Sequence, residues 1–109
     1  MAKKKDRVTE IISDFAGELR KDIPVDKILL FGSYAKGIAV RNSDIDVIVV
    51  SPYFRKGKYI THIQYLFRKA AKVSSLLEPI PAVPEDIKRL DKRTFLGQIL
   101  KHAKVYNFS

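Results

Sequence analysis

Two short stretches carry residue types that could do chemistry. One is Phe31-Gly32-Ser33-Tyr34-Ala35-Lys36-Gly37, and the other is Ser43-Asp44-Ile45-Asp46 running into Val47 to Val50. Asp44 and Asp46 are spaced i, i+2 on an expected strand, so both carboxylates point to one side, roughly 6 to 7 Å apart along the chain. Two acids on one face can share divalent cations, and a pair of cations about 3.5 to 4 Å apart can hold both oxygens of a phosphoryl displacement. Gly32 and Ser33 form a small turn between a strand and a short helix. The exposed amides at that helix start make an anion site, with Ser33 placed to cap it.

The elements that must position these groups are legible from periodicity. Asp6 to Lys21 has Val8, Ile11, Ile12, Phe15, Ala16 and Leu19 at helical spacing, and Pro24 stops it by pushing Ile23 out of the helical region. Lys27 to Phe31 reads as a short buried strand, Ser33 to about Ile38 as a short helix, and Gly37 to Asn42 as a loop. Asp44 to Val50 reads as a central strand, because its apolar residues fall on both faces beyond Asp46. Tyr59 to Ser75 is expected to be an amphipathic helix that turns Ile60, Ile63, Leu66, Phe67, Ala70, Ala71 and Val73 inward. Leu76 to Pro84 is expected to be extended. Pro79, Pro81 and Pro84 confine it to a sheet edge or just beyond one. Pro84-Glu85-Asp86 opens a helix through Leu90, and Thr94 to Val105 is expected to be helical again. The fold class is therefore α/β (α+β), a small mixed sheet flanked by helices in the order αβαβαβα.

Length and composition bound the rest. A chain of 109 residues is expected to be one domain, 1–109. Without cysteine it has no disulfide, thiolate metal site or thiol nucleophile. The basic start leads into an amphipathic segment, not an apolar signal region, and no run is long enough to span a bilayer, so a cytoplasmic protein is expected. The net charge of +9 favours polyanionic partners, and it equally suits the charged surface of a heat-adapted protein. Arg55, Lys56 and Lys58 could guide an anion or simply be solvated. His62 and His102 have no second ligand at metal spacing and are expected at the surface or its boundary. The five tyrosines are expected to serve packing, with Tyr34 near enough to the turn to touch a nucleotide.

The joint pattern of strand, Gly-Ser, Tyr-Ala-Lys-Gly and Ser-Asp-Ile-Asp resembles the DNA polymerase beta-like nucleotidyltransferase superfamily, and more narrowly its minimal nucleotidyltransferases. The specific part of the resemblance is Leu30 to Val50. It implies a palm-like nucleotidyltransferase fold in which Gly32 and Ser33 hold the triphosphate and Asp44 and Asp46 bind two magnesium ions. It further implies a third acid on the next strand, and Glu78 stands there in place of the commoner aspartate. Lys36 occupies a position where relatives often carry a base that reaches a phosphate or the acceptor.

The activity implied is transfer of a nucleoside monophosphate, AMP from ATP, to a hydroxyl. With no large acceptor-binding domain in view, the acceptor is expected to be a macromolecule, and the resemblance points to a HEPN-type toxin partner in a hetero-oligomer. The competing expectation is a non-catalytic module of the same fold that neutralises a partner by docking or binds nucleic acid, and a homo- or hetero-oligomer is compatible with either.

Overall fold

A computed structural model describes residues 7–37, 39, 43–89 and 101–108. In chain order the elements are α1 (Arg7–Arg20), β1 (Lys27–Phe31), α2 (Ser33–Lys36), β2 (Ile45–Val50), a 3-10 turn (Pro52–Arg55), α3 (Tyr59–Ala70), β3 (Leu77–Ala82), α4 (Pro84–Lys88) and β4 (Lys104–Asn107). The strands form one mixed sheet in the order β3-β2-β1-β4, with β2 antiparallel to β1 and parallel to β3. The mixed sheet with flanking helices is the class expected from the sequence, and β2 is central.

Alternation along the strands sorts the core into two layers. Ile28 and Leu30 of β1, Ile45, Val47 and Val49 of β2, and Leu77 of β3 meet Ile12, Phe15 and Leu19 of α1 and Leu66 and Ala70 of α3. Each such fully buried aliphatic side chain contributes on the order of 1.5–3 kcal/mol. The opposite face carries Leu29, Ile48 and Val50, with Phe31, Ala82, Ile87 and Ala103 packed partly over them. Asp44, Asp46 and Glu78 share that face's parity.

β3 is the edge strand the prolines called for. The Leu76 carbonyl accepts from the Ile45 N–H at 2.8 Å and the Ala82 carbonyl from the Ser51 N–H at 3.0 Å. Even-numbered residues of β3 therefore turn their backbone groups to β2, and odd-numbered ones turn theirs outward. Pro79 and Pro81 place their missing N–H groups on the free edge, which leaves it poor in donors for another strand.

Four expectations are corrected. Lys104 and Val105 are not helical: they begin β4, which pairs antiparallel with β1 through Ile28 opposite Tyr106 and Leu29 opposite Val105. The second edge of β1 needed a partner, and the sequence Lys-Val-Tyr-Asn supplies a β-branched and an aromatic residue for it. Lys101 and His102 of the expected tail helix form a turn and Ala103 is irregular, while its start from Thr94 to Leu100 lies outside the described residues, as do Ile38, Leu90 and most of the loop before Asp44. The third helix ends at Ala70 instead of Ser75 and loosens into turns, with the Ser74 hydroxyl accepting from the Leu76 N–H at 3.2 Å. Ile60, Phe67 and Ala71 are exposed, not inward, because only the stripe His62, Leu66, Ala70 faces the sheet.

His62 is the fourth correction. It is buried between Phe54 and Tyr53, with Nε2 2.6 Å from the Lys56 carbonyl oxygen. A related polar lock lies one layer away. Ser51 is fully buried, donates its hydroxyl to the Pro24 carbonyl at 2.6 Å and accepts from the Tyr53 N–H at 3.1 Å, capping the 3-10 turn. Arg55 is not a free cation. It forms a two-pronged pair with Glu85 at 2.7 and 2.5 Å, which holds that carboxyl down to about 2.

Candidate active site

The site is built where three strand ends meet. Phe31, the last residue of β1, lies opposite Asp46 in the antiparallel register, and Asp46 lies beside Glu78 in the parallel one. Residues paired across strands point to the same face, with backbones about 4.8 Å apart. Glu78, placed in sequence only by analogy, thus stands next to Asp46 on one face of the sheet. Asp44 immediately precedes β2 and is exposed, whereas Asp46 is half-buried.

The carboxyl group of Asp46 is pushed above the ordinary aspartate value, first by burial and second by the negative charge of Asp44. Both causes disfavour a second bare anion at this spot, and both would be offset by a cation. The donors are hard carboxylate oxygens, the kind that magnesium takes. Among the described residues no three His, Cys, Asp or Glu side chains converge as a ready-made cluster. What the fold provides is the close pair Asp44 and Asp46 with Glu78 in register beside it.

Gly32 sits directly against Asp46. Its backbone, at φ 72° and ψ −149°, occupies a region open essentially to glycine alone. A Cβ there would overlap Oδ2 of Asp46 and stand 3.2 Å from its Cγ. Two independent demands, conformation and space, therefore fix glycine at this position. The chain turns into α2, a single helical turn closed by Gly37 in the left-handed conformation at φ 74°. Ser33 is the first helical residue, not the cap, and no side chain caps this helix. The amide groups of its first turn are free of intrahelical partners by construction. Tyr34 is half-buried against the core, and the side chain of Lys36 lies outside the described residues.

The fold and the arrangement of a Gly-Ser turn over paired strand acids define a class. The chain belongs to the nucleotidyltransferase domain family, whose model matches residues 12–106, and the general kind of chemistry is transfer of a nucleotidyl group. Among relatives, it is 28% identical over 107 residues to an inferred protein adenylyltransferase of Methanocaldococcus jannaschii, a match covering 90% of this chain and 70% of that protein. The crystal structure of a toxin-antitoxin with AMP-PNP is similar at a TM-score of 0.58 and 26% identity, over 92% of this chain and 72% of that one. An inferred nucleotidyltransferase from Sulfolobus solfataricus, 17% identical, shares the fold at a TM-score of 0.59 over 91% of this chain and 76% of its own. Among the described residues no helix is long and apolar enough to cross a membrane.

Proposed function

We propose that this protein transfers AMP from ATP to a hydroxyl group of a protein partner, with Asp44, Asp46 and Glu78 as its metal-binding and catalytic acids. The observation that carries the reading is the register of the three strands, which puts Glu78 beside Asp46 and Asp46 under Gly32. The similarity to an inferred protein adenylyltransferase and to a toxin-antitoxin with AMP-PNP supports ATP as donor and a protein as acceptor. A HEPN-type toxin is the partner class implied by the resemblance of the sequence.

Gly32 lets the backbone approach the triphosphate without a side chain in the way. Ser33 offers its hydroxyl and amide to phosphate oxygens, and Lys36, one turn on, adds a cation. The acceptor oxygen attacks the α-phosphorus, the bond to the β-phosphate oxygen breaks, and pyrophosphate leaves. Glu78 accepts the proton of the attacking hydroxyl. Two magnesium ions held by Asp44, Asp46 and Glu78 would offset charge developing on the transferred phosphorus and lower the pKa of the acceptor hydroxyl. The remaining contribution of the chain is to position donor and acceptor.

Incubation with α-labelled ATP and magnesium, with and without the protein encoded beside it, tests this reading. Label is expected on the partner protein and is lost in Asp44→Asn/Asp46→Asn. That no three acids converge among the described residues favours one other reading, a non-catalytic module that neutralises its partner by docking. Complex formation by both versions with no label transferred would establish that reading instead.

A further inference from the structure

The third helix carries more apolar surface than its core uses. Leu66 and Ala70 are buried against the sheet, yet Ile60 and Phe67 on the adjoining flank remain 57% and 40% exposed. They lie seven residues apart on one side of the helix, roughly 10 Å along its axis, with half-buried Ile63 between them. Tyr59, 57% exposed, extends the strip at the helix start. The opposite flank is already engaged, since Tyr65 donates to Asp22 at 3.0 Å and Lys69 pairs with Asp22 at 2.8 Å, tying α3 to the end of α1. The exposed strip therefore faces away from α1, toward the proline-bearing edge of the sheet. That edge is poor in donors for an added strand, so a partner there must be held by side chains.

Most of the charge beside the strip is positive, with Asp86 the acid near its start. Lys58 stands at the N-cap of α3 and Arg68 follows Phe67, both exposed and without an ion pair among the described residues, though the Arg68 guanidinium lies 5.9 Å from the centre of the Tyr65 ring on the other flank. Asp86 lies near Tyr59 across a small cleft of about 150 Å³, while Glu85 is consumed by Arg55. A second copy of this chain would bring the same cations and the same net charge of +9 against them, which opposes a symmetric pairing. An acidic border on a different protein would be attracted.

We propose that the outward flank of α3, centred on Ile60 and Phe67 and bordered by Lys58 and Arg68, docks a protein that presents an apolar helical stripe edged with acidic residues. This rests on the reading above only in supposing a protein partner. It does not depend on transfer chemistry. The start of α3 lies near Pro81 and Ala82, so a helix laid along this flank runs beside β3 toward the end that carries Glu78.

The probe is a fluorescent 18-residue helical peptide with leucines at i, i+3, i+4 and i+7 and glutamates on both borders. Its binding to the full chain is read by anisotropy at low salt, without ATP or metal, so that failed transfer chemistry cannot affect the result. The wild-type chain is expected to bind it, Ile60→Ser/Phe67→Ser to bind at least tenfold more weakly, and Lys58→Ala/Arg68→Ala to lose most of the salt dependence. Both apolar residues are exposed, and a thermal melt confirms that the variant folds. Equal affinity of the serine variant overturns the proposal, as does equal binding of a peptide bordered by lysines. A concentration-dependent dimer in sedimentation that Phe67→Ser abolishes would assign the flank to a second copy instead. Displacement of the peptide by a short RNA whose own binding needs Ile60 and Phe67 would assign it to nucleic acid, and each of these also overturns the proposal.

Discussion

The contact between Gly32 and Asp46 can be dissected by a double-mutant cycle. Alanine at position 32 must adopt φ 72° and ψ −149°, a backbone strain of about 1–3 kcal/mol. Its Cβ would also overlap the Asp46 carboxylate, so that side chain or the turn must shift, at a further cost of about 1–3 kcal/mol of the kind seen in overpacked sites. Gly32→Ala should therefore lower stability by roughly 2–6 kcal/mol, with a fall in melting temperature of at least about 8 °C. In an Asp46→Ala background the overlapping carboxylate is gone and only the Asp46 Cβ remains, at an ordinary 3.4 Å. There Gly32→Ala should cost the backbone part alone, leaving a coupling of about 1 kcal/mol or more.

Urea unfolding of the four proteins measures this cycle, with the slope m checked for constancy. Gly37→Ala is the internal control. Its φ of 74° carries the same sign of strain, but among the described residues nothing lies within 4 Å of the added methyl group. It should lose about 1–2 kcal/mol in either background. If the cost of Gly32→Ala is the same with and without the Asp46 carboxylate, to within about 0.5 kcal/mol, the turn does not press on the acid and the proposed site geometry is wrong.

Three further outcomes follow from named contacts. Because burial and Asp44 raise the Asp46 pKa above its unfolded value of 3.8, the ionised form opposes folding. Asp46→Asn should thus melt higher than wild type at pH 7 in chelator, and the gap should close as pH falls to 3.8 and below, as followed by thermal melts across pH. Ser51→Ala removes a fully buried hydroxyl that serves both Pro24 and Tyr53, and should cost about 1–3 kcal/mol in denaturant unfolding. Gly17 lies exposed in the interior of α1 with nothing within 4 Å of an added Cβ, so Gly17→Ala should raise stability by about 0.5–1 kcal/mol in the same assay.

The parts of the fold set by local pattern were readable in the sequence. The stripe of α1 from Val8 to Leu19, the two-sided apolar run of β2 and the edge position of β3 each rest on a periodicity or on proline chemistry. These are properties of a few adjacent residues. What the local pattern does not carry is a feature decided by a contact with another element or turn. Lys104 to Asn107 became a strand because β1 offered an unpaired edge some 75 residues earlier in the chain. His62 went inside because Lys56 supplies a carbonyl and Phe54 a ring at the turn before the helix. Arg55 looked like one of three loop cations until α4 brought Glu85 to it.

The candidate site shows the same division at closer range. Asp44 and Asp46 could be paired from their spacing alone, since period two on a strand is a local rule. Glu78 could not, because its distance from Asp46 depends on the parallel register of β2 and β3, which nothing within Leu76 to Pro84 specifies. The structure adds what spacing lacks: Glu78 falls level with Asp46, not with Ile45 or Val47. A slip of one residue would turn Glu78 to the face occupied by Leu66 and Ala70 and bring Leu77 outward, at the cost of burying a carboxylate and exposing a core leucine. The hydrophobic pattern of β3 thus rules out a one-residue slip and holds Glu78 on the face of Asp46, while its level along that face is set by the pairing with β2. The core that stabilises this sheet and the acids proposed to act at its end are fixed by one alternation.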